Sequence, residues 1–201
     1  MLRRARLLLA ATVLAVGAVA CSRSDGRSLP PPDPSRTTTS VSAPVVGQPS
    51  ADEIREVFAL FSSAFVEGGA IPVEHTCTGA GTSPGLSWAS APPAAELALV
   101  VRDRSAAGFV HWVVTGIDPL VQGFGPGGVP ESAVESANGT GSLGWYPPCP
   151  PPGSGPHTYE LVLHALPEPL ALVPGTPGEE AAQLVEGASS ERAALSGVAT
   201  G

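Results

Sequence analysis

Lysine is absent from this 201-residue chain, and all ten basic side chains are arginine. Eighteen acids face them, for a formal net charge of −8. Nucleic-acid binders carry a basic footprint, so this balance excludes that class. No internal repeat is present, which sets aside solenoid and propeller arrays. No run of about 20 apolar residues is present either, and that is the length needed to span a bilayer as a helix. Charged residues make up only 14% of the chain, against about 25% in ordinary domains. What replaces them is glycine (24) and proline (23). Both residues break helix interiors, so a helix bundle or coiled coil is excluded. The hydrophobic share, 43%, is enough for one core and excludes disorder throughout.

The first twenty residues read as an export signal. Arg3, Arg4 and Arg6 form a basic start, and Leu7 to Ala20 is uncharged and apolar, ending in small residues. Ala18-Val19-Ala20 then precedes Cys21 in the manner of a bacterial lipobox, with Ala18 where leucine is usual. The expectation is a lipoprotein signal peptide over 1–20, acylation of Cys21, and anchoring to the extracytoplasmic face of the cell membrane. Ordinary cleavage after Ala20 is the alternative. Without residues 1–20 the chain holds 7 arginines and 18 acids, net −11. It has no polybasic patch, so attachment would rest on acyl chains. Residues 21–57 are rich in Pro, Ser and Thr and read as a disordered tether.

From residue 58 the composition changes to that of a domain, 58–201. Strands are expected at Ala59–Val66, Glu96–Arg102, Phe109–Ile117 and Thr158–Leu166, the last alternating with period two. A helix is expected over Glu179–Leu195, after Pro177 and Gly178 and with two acids at its N-terminal end. The fold class is all-β dominated, an antiparallel β-sandwich with a short C-terminal helix.

Polar groups break the apolar strands at three places: Asp103, His111, and the segment 144–159 with His157 and Tyr159. His157 and Tyr159 are two apart on a strand and face the same way. A carboxylate, two imidazoles and a phenol can form a compact anion pocket. Read singly, His111 is equally a core histidine and Asp103 a turn residue.

The motifs Phe65–Gly79, Ser83–Trp88, Ala91–Pro93, Leu97–Asp103, Phe109–Val114, Gly144–Pro151 and His157–Tyr159 occur in order. Together they resemble the bacterial branch of the phosphatidylethanolamine-binding protein family, also called Raf-kinase-inhibitor-like, over roughly 58–201. The resemblance implies a β-sandwich of that family's type with a shallow anion pocket at Asp103, His111, His157 and Tyr159. It implies a small anion or phospholipid head group as ligand. It brings no catalytic activity, cofactor or metal. Two departures stand out. The family's Asp-Pro-Asp is Asp103-Arg104-Ser105, and its Tyr-Gly-Gly-Pro is Trp145-Tyr146-Pro147-Pro148. Loss of an acid with Arg104 beside it is expected to favour anions at the site. The net −10 of residues 58–201 (3 Arg, 13 acids) opposes long-range attraction, so affinity should be weak and better at low pH.

Cys77 and Cys149 remain if Cys21 is acylated. In an exported domain they are expected to form a disulfide, with two buried thiols as the alternative. Their spacing is not that of a zinc site. The function expected is a membrane-tethered binding module. A protein–protein inhibitor of an extracellular protease or signalling protein is the second reading, with the protein partner unidentified. A hydrolase using Ser105 with His111 and Asp103 is the third.

Overall fold

The computed structural model describes residues 56–201. The expected signal peptide, the expected acylation site Cys21 and nearly all of the expected 21–57 tether lie outside the described residues. Nine strands and one α-helix follow in order: β1 Ala59–Ser62, β2 Gly69–Ala70, β3 Leu86–Ala89, β4 Glu96–Asp103, β5 Phe109–Ile117, β6 Gly123–Phe124, β7 Val134–Glu135, β8 His157–Leu166, α1 Gly178–Ala188 and β9 Glu191–Ala199. They form a six-stranded sheet, ordered β2-β9-β8-β4-β5-β7, and a three-stranded sheet, β1-β3-β6. Among the described residues no helix is long and apolar enough to cross a membrane.

Strand β4 is buried at every position because both its faces are covered. Leu97, Leu99 and Val101 point towards the small sheet and share a core with Leu60, Trp88, Trp112, Leu161 and Leu163. Ala98 and Val100 point the other way, into a second core closed by Ala181, Ala182 and Val185 of α1. The near-continuous apolar run of β4 in the sequence reports this two-sided burial. Burying one such side chain contributes roughly 1.5–3 kcal/mol, so these two cores dominate the stability.

Three expectations need correction. The helix ends at Ala188, and residues 191–199 form β9 beside β8 over nine paired positions. Ala193, Ala194 and Leu195 are good helix formers, yet Ala193, Leu195 and Ala199 alternate into the core. The unpaired edge of β8 outweighs local propensity. The helix is therefore internal, between β8 and β9, and not C-terminal. Secondly, the sheet is not wholly antiparallel, since β2 pairs with β9 in parallel. Lastly, the first expected strand stops at Ser62, short of Val66.

Candidate functional site

The long hairpin β4–β5 and the adjacent strand β8 bring the expected residues together. Asp103 ends β4, opposite Tyr159 of β8 on one side and Phe109 of β5 on the other. His157 opens β8, two residues before Tyr159, so both rings lie on the Asp103 side of the sheet. His111 enters from β5. Its ring lies 5.0 Å from that of Tyr159, nearly perpendicular to it.

The site is tightly wired. His157 Nδ1 lies 2.7 Å from Asp103 Oδ2, so its N–H donates to the carboxylate. The other oxygen, Oδ1, accepts the Ser105 backbone N–H at 2.8 Å. His111 Nδ1 sits 2.7 Å from the Tyr146 carbonyl oxygen, which can only accept. The proton of a neutral His111 is thereby fixed on Nδ1, and Nε2 has no hydrogen-bond partner among the described residues. Burial is the main reason His111 titrates below the usual histidine range; the Tyr146 carbonyl and the Asp103 charge oppose it. Burial, then the Asp103 carboxylate, push the Tyr159 phenol well above the ordinary tyrosine value. At neutral pH the site therefore offers a neutral imidazole, a neutral phenol and a His157–Asp103 pair.

Two residues emerge that the residue-type reading did not name as part of the site. Tyr146 acts through its main-chain carbonyl, which no residue type announces. Ser154 Oγ lies 3.1 Å from His157 Nε2 and donates to the Pro151 carbonyl at 2.8 Å. Ser154, His157 and Asp103 thus stand in the order of a hydrolase relay. The serine, however, is exposed, and its hydroxyl proton already goes to Pro151. Ser105, the nucleophile of the hydrolase reading, is used otherwise. Its Oγ accepts the Thr158 N–H at 3.0 Å.

Arg104 does not join this site. It pairs with Glu160 on the opposite face of the sheet, so its expected help to an anion at His111 is withdrawn. The reason is strand alternation: Asp103 and its neighbours point to opposite sides. Cys77 and Cys149 are bridged, with Cα atoms 5.3 Å apart. Beside the bridge, the Cys77 N–H donates to the Pro148 carbonyl. The bridge therefore holds the 144–156 loop, which supplies both Tyr146 and Ser154. Among the described residues no group of three or more His, Cys, Asp or Glu is placed to hold a metal ion.

These features define a two-sheet β protein with a small, largely buried polar site at the ends of its central strands. The family profile described as "Phosphatidylethanolamine-binding protein" matches residues 61–200. The chain belongs to this family, whose members are binding-type proteins. Among relatives, "Putative lipoprotein LppC" of Mycobacterium tuberculosis (strain H37Rv) is 39% identical over 193 residues, 95% of this chain and 92% of that protein. A UPF0098 protein of Methanothermobacter thermautotrophicus is 39% identical over 136 residues, 64% of this chain and 89% of its own length. The crystal structure of CT736 from Chlamydia trachomatis, titled as a phosphatidylethanolamine-binding protein homologue, superposes with a TM-score of 0.65. It is 31% identical, and the match covers 72% of this chain and 98% of that one. YbcL of E. coli gives a TM-score of 0.66 at 25% identity, covering 71% and 98%.

Proposed function

We propose that this protein is a membrane-tethered binding module whose site at Asp103, His111, His157 and Tyr159 takes a small anion, a phosphate or a phospholipid head group. The observation that carries the reading is His111. Its Nδ1 is occupied by the Tyr146 carbonyl, while Nε2, beside the His157–Asp103 pair, has no hydrogen-bond partner among the described residues. On protonation, Nε2 becomes a charged donor to a phosphate oxygen. Tyr159 stays protonated and its hydroxyl engages Asp103, which steadies the carboxylate shared with His157.

The tether rests on Cys21 after Ala18-Val19-Ala20, and on a relative named as a lipoprotein that aligns over 95% of the chain. Acyl chains at Cys21 would hold the domain at the extracytoplasmic membrane face, where phospholipid head groups are abundant. The hydrolase reading loses support from the hydroxyls, since Ser105 accepts from a backbone amide and Ser154 donates to Pro151.

The test is a titration of inorganic phosphate followed by the His111 and His157 ring resonances, in the full chain and in His111→Gln. The variant keeps a donor for Tyr146 but lacks the second ring nitrogen. Saturable shifts at pH 6 that weaken in the variant are expected. Binding weaker than roughly 10 mM, or unchanged in His111→Gln, refutes the site. An ester-hydrolysis panel should show no turnover that Ser154→Ala removes, and such a loss would replace the binding reading by a catalytic one.

A further inference from the structure

On the helix-bearing face of the six-stranded sheet lies a cleft of about 480 Å³, turned away from His157 and Tyr159. Residues 56–201 contain three arginines, Arg102, Arg104 and Arg192, and all three line this cleft. In a domain with such an excess of acids, this places every permanent positive charge at one spot.

The three are not equivalent. Arg102 is largely buried, donates to the Gly108 carbonyl and is clamped by Glu179 and Glu186 of α1. Arg104 is paired with Glu160 of β8. Arg192 of β9 is exposed and has no carboxylate partner among the described residues. Glu160, Glu179 and Glu186 balance the three guanidiniums in number, but two of them are spent on Arg102, so the guanidinium left without a paired carboxylate is Arg192.

Directly across from Arg192 in the sheet is His164. This residue is 2% exposed, yet it lines the cleft, and both of its ring nitrogens are buried without a hydrogen-bond partner. Buried polar atoms are nearly always paired, so two orphans on one ring call for a partner the protein does not supply. A neutral imidazole holds one N–H donor for that partner, beside a free guanidinium made for oxyanions.

We propose that this cleft is a second anion site, separate from the one at His111, taking the oxyanion group of a small phosphate or carboxylate between Arg192 and Arg104, with the His164 ring as its floor. Arg192 supplies the unpaired guanidinium and its bidentate fork. Arg104 shares its guanidinium between Glu160 and the ligand. Arg102 serves as the fixed strut that holds α1 against the sheet.

The experiment uses the full chain labelled with ¹⁵N in arginine and histidine, at pH 7, titrated with inorganic phosphate and separately with acetate. The expected result is a saturable movement of the Arg192 side-chain and His164 ring resonances with at least one of the two anions. That response should persist in His111→Gln and weaken at least about tenfold in Arg192→Gln. A response to phosphate alone assigns the site to phosphate groups, and one to acetate as well assigns it to oxyanions generally. Arg192 is exposed, so its removal leaves no buried partner stranded and the fold is retained. The proposal is overturned if neither anion gives a saturable response. It is equally overturned if Arg192→Gln binds as tightly as the parent, or if the response vanishes in His111→Gln, which would make it an echo of the first site.

Discussion

Replacing both Cys77 and Cys149 by serine tests the cross-link with little else disturbed. Both residues are exposed, so serine strands no buried group. The bridge closes a loop with a sequence separation of 72 residues. In the chain-entropy account, such a loop contributes roughly 4 kcal/mol by restricting the unfolded chain. For a folded body of about 145 residues, unfolding entropy near 60 °C is about 0.3 kcal/mol/K, so the melting temperature should fall by about 13 °C. Urea denaturation should give the same loss as a lower midpoint, and calorimetry should show the shift directly. Peptide mapping after alkylation, with and without reductant, reads the bridge itself. A loss below about 1 kcal/mol would refute the entropic reasoning. Alkylation of both cysteines in unreduced protein would refute the bridge. The variant should also bind phosphate less well at the His111 site, because the loop that presents the Tyr146 carbonyl loses its anchor.

Three further outcomes are expected. His164 is pushed down to about 4, chiefly by burial, so an unfolded chain binds its proton first as the pH falls. Its contribution is intact above the unfolded value near 6.5. It is lost progressively towards pH 4, by on the order of 3 kcal/mol, and the slope should flatten in His164→Leu when urea stability is measured against pH. An unchanged slope in that variant would contradict the assignment. Asp103→Asn removes the charge that His157 and the Ser105 amide share, and should cost about 2 kcal/mol by urea denaturation at pH 6; an unchanged midpoint would contradict the network. Ala107 holds a left-handed backbone at φ 53° in the β4–β5 turn, so Ala107→Gly should stabilise by up to about 1 kcal/mol. A clear loss of melting temperature would show the turn is not strained.

The Asp103–His157 pair and the ring of His111 beside Tyr159 were legible from residue types at strand ends. The period-two run of β8 set both rings on one face, and the order of motifs set the family. What hid the rest differs from case to case. Tyr146 contributes a backbone carbonyl, which every residue carries, so only the path of the 144–156 loop could reveal it. Arg104 was within reach of the same period-two argument. It follows Asp103 directly and so belongs to the other face, where Glu160 meets it.

Composition and local pattern by themselves determined an acidic, mostly β domain preceded by an apolar N-terminal stretch, with β4, β5 and β8 as its apolar spine. Those are properties of neighbours along the chain: charge balance, helix breakers and alternation. The tertiary structure decided where α1 stops and β9 starts, because Ala193 to Leu195 obey their pairing with β8 over their own helix propensity. It also decided the gathering of Arg102, Arg104 and Arg192 around His164, 90 residues apart at the extremes (Arg102 to Arg192). That convergence is a matter of strand register, and register is settled only when the sheet closes over its two cores.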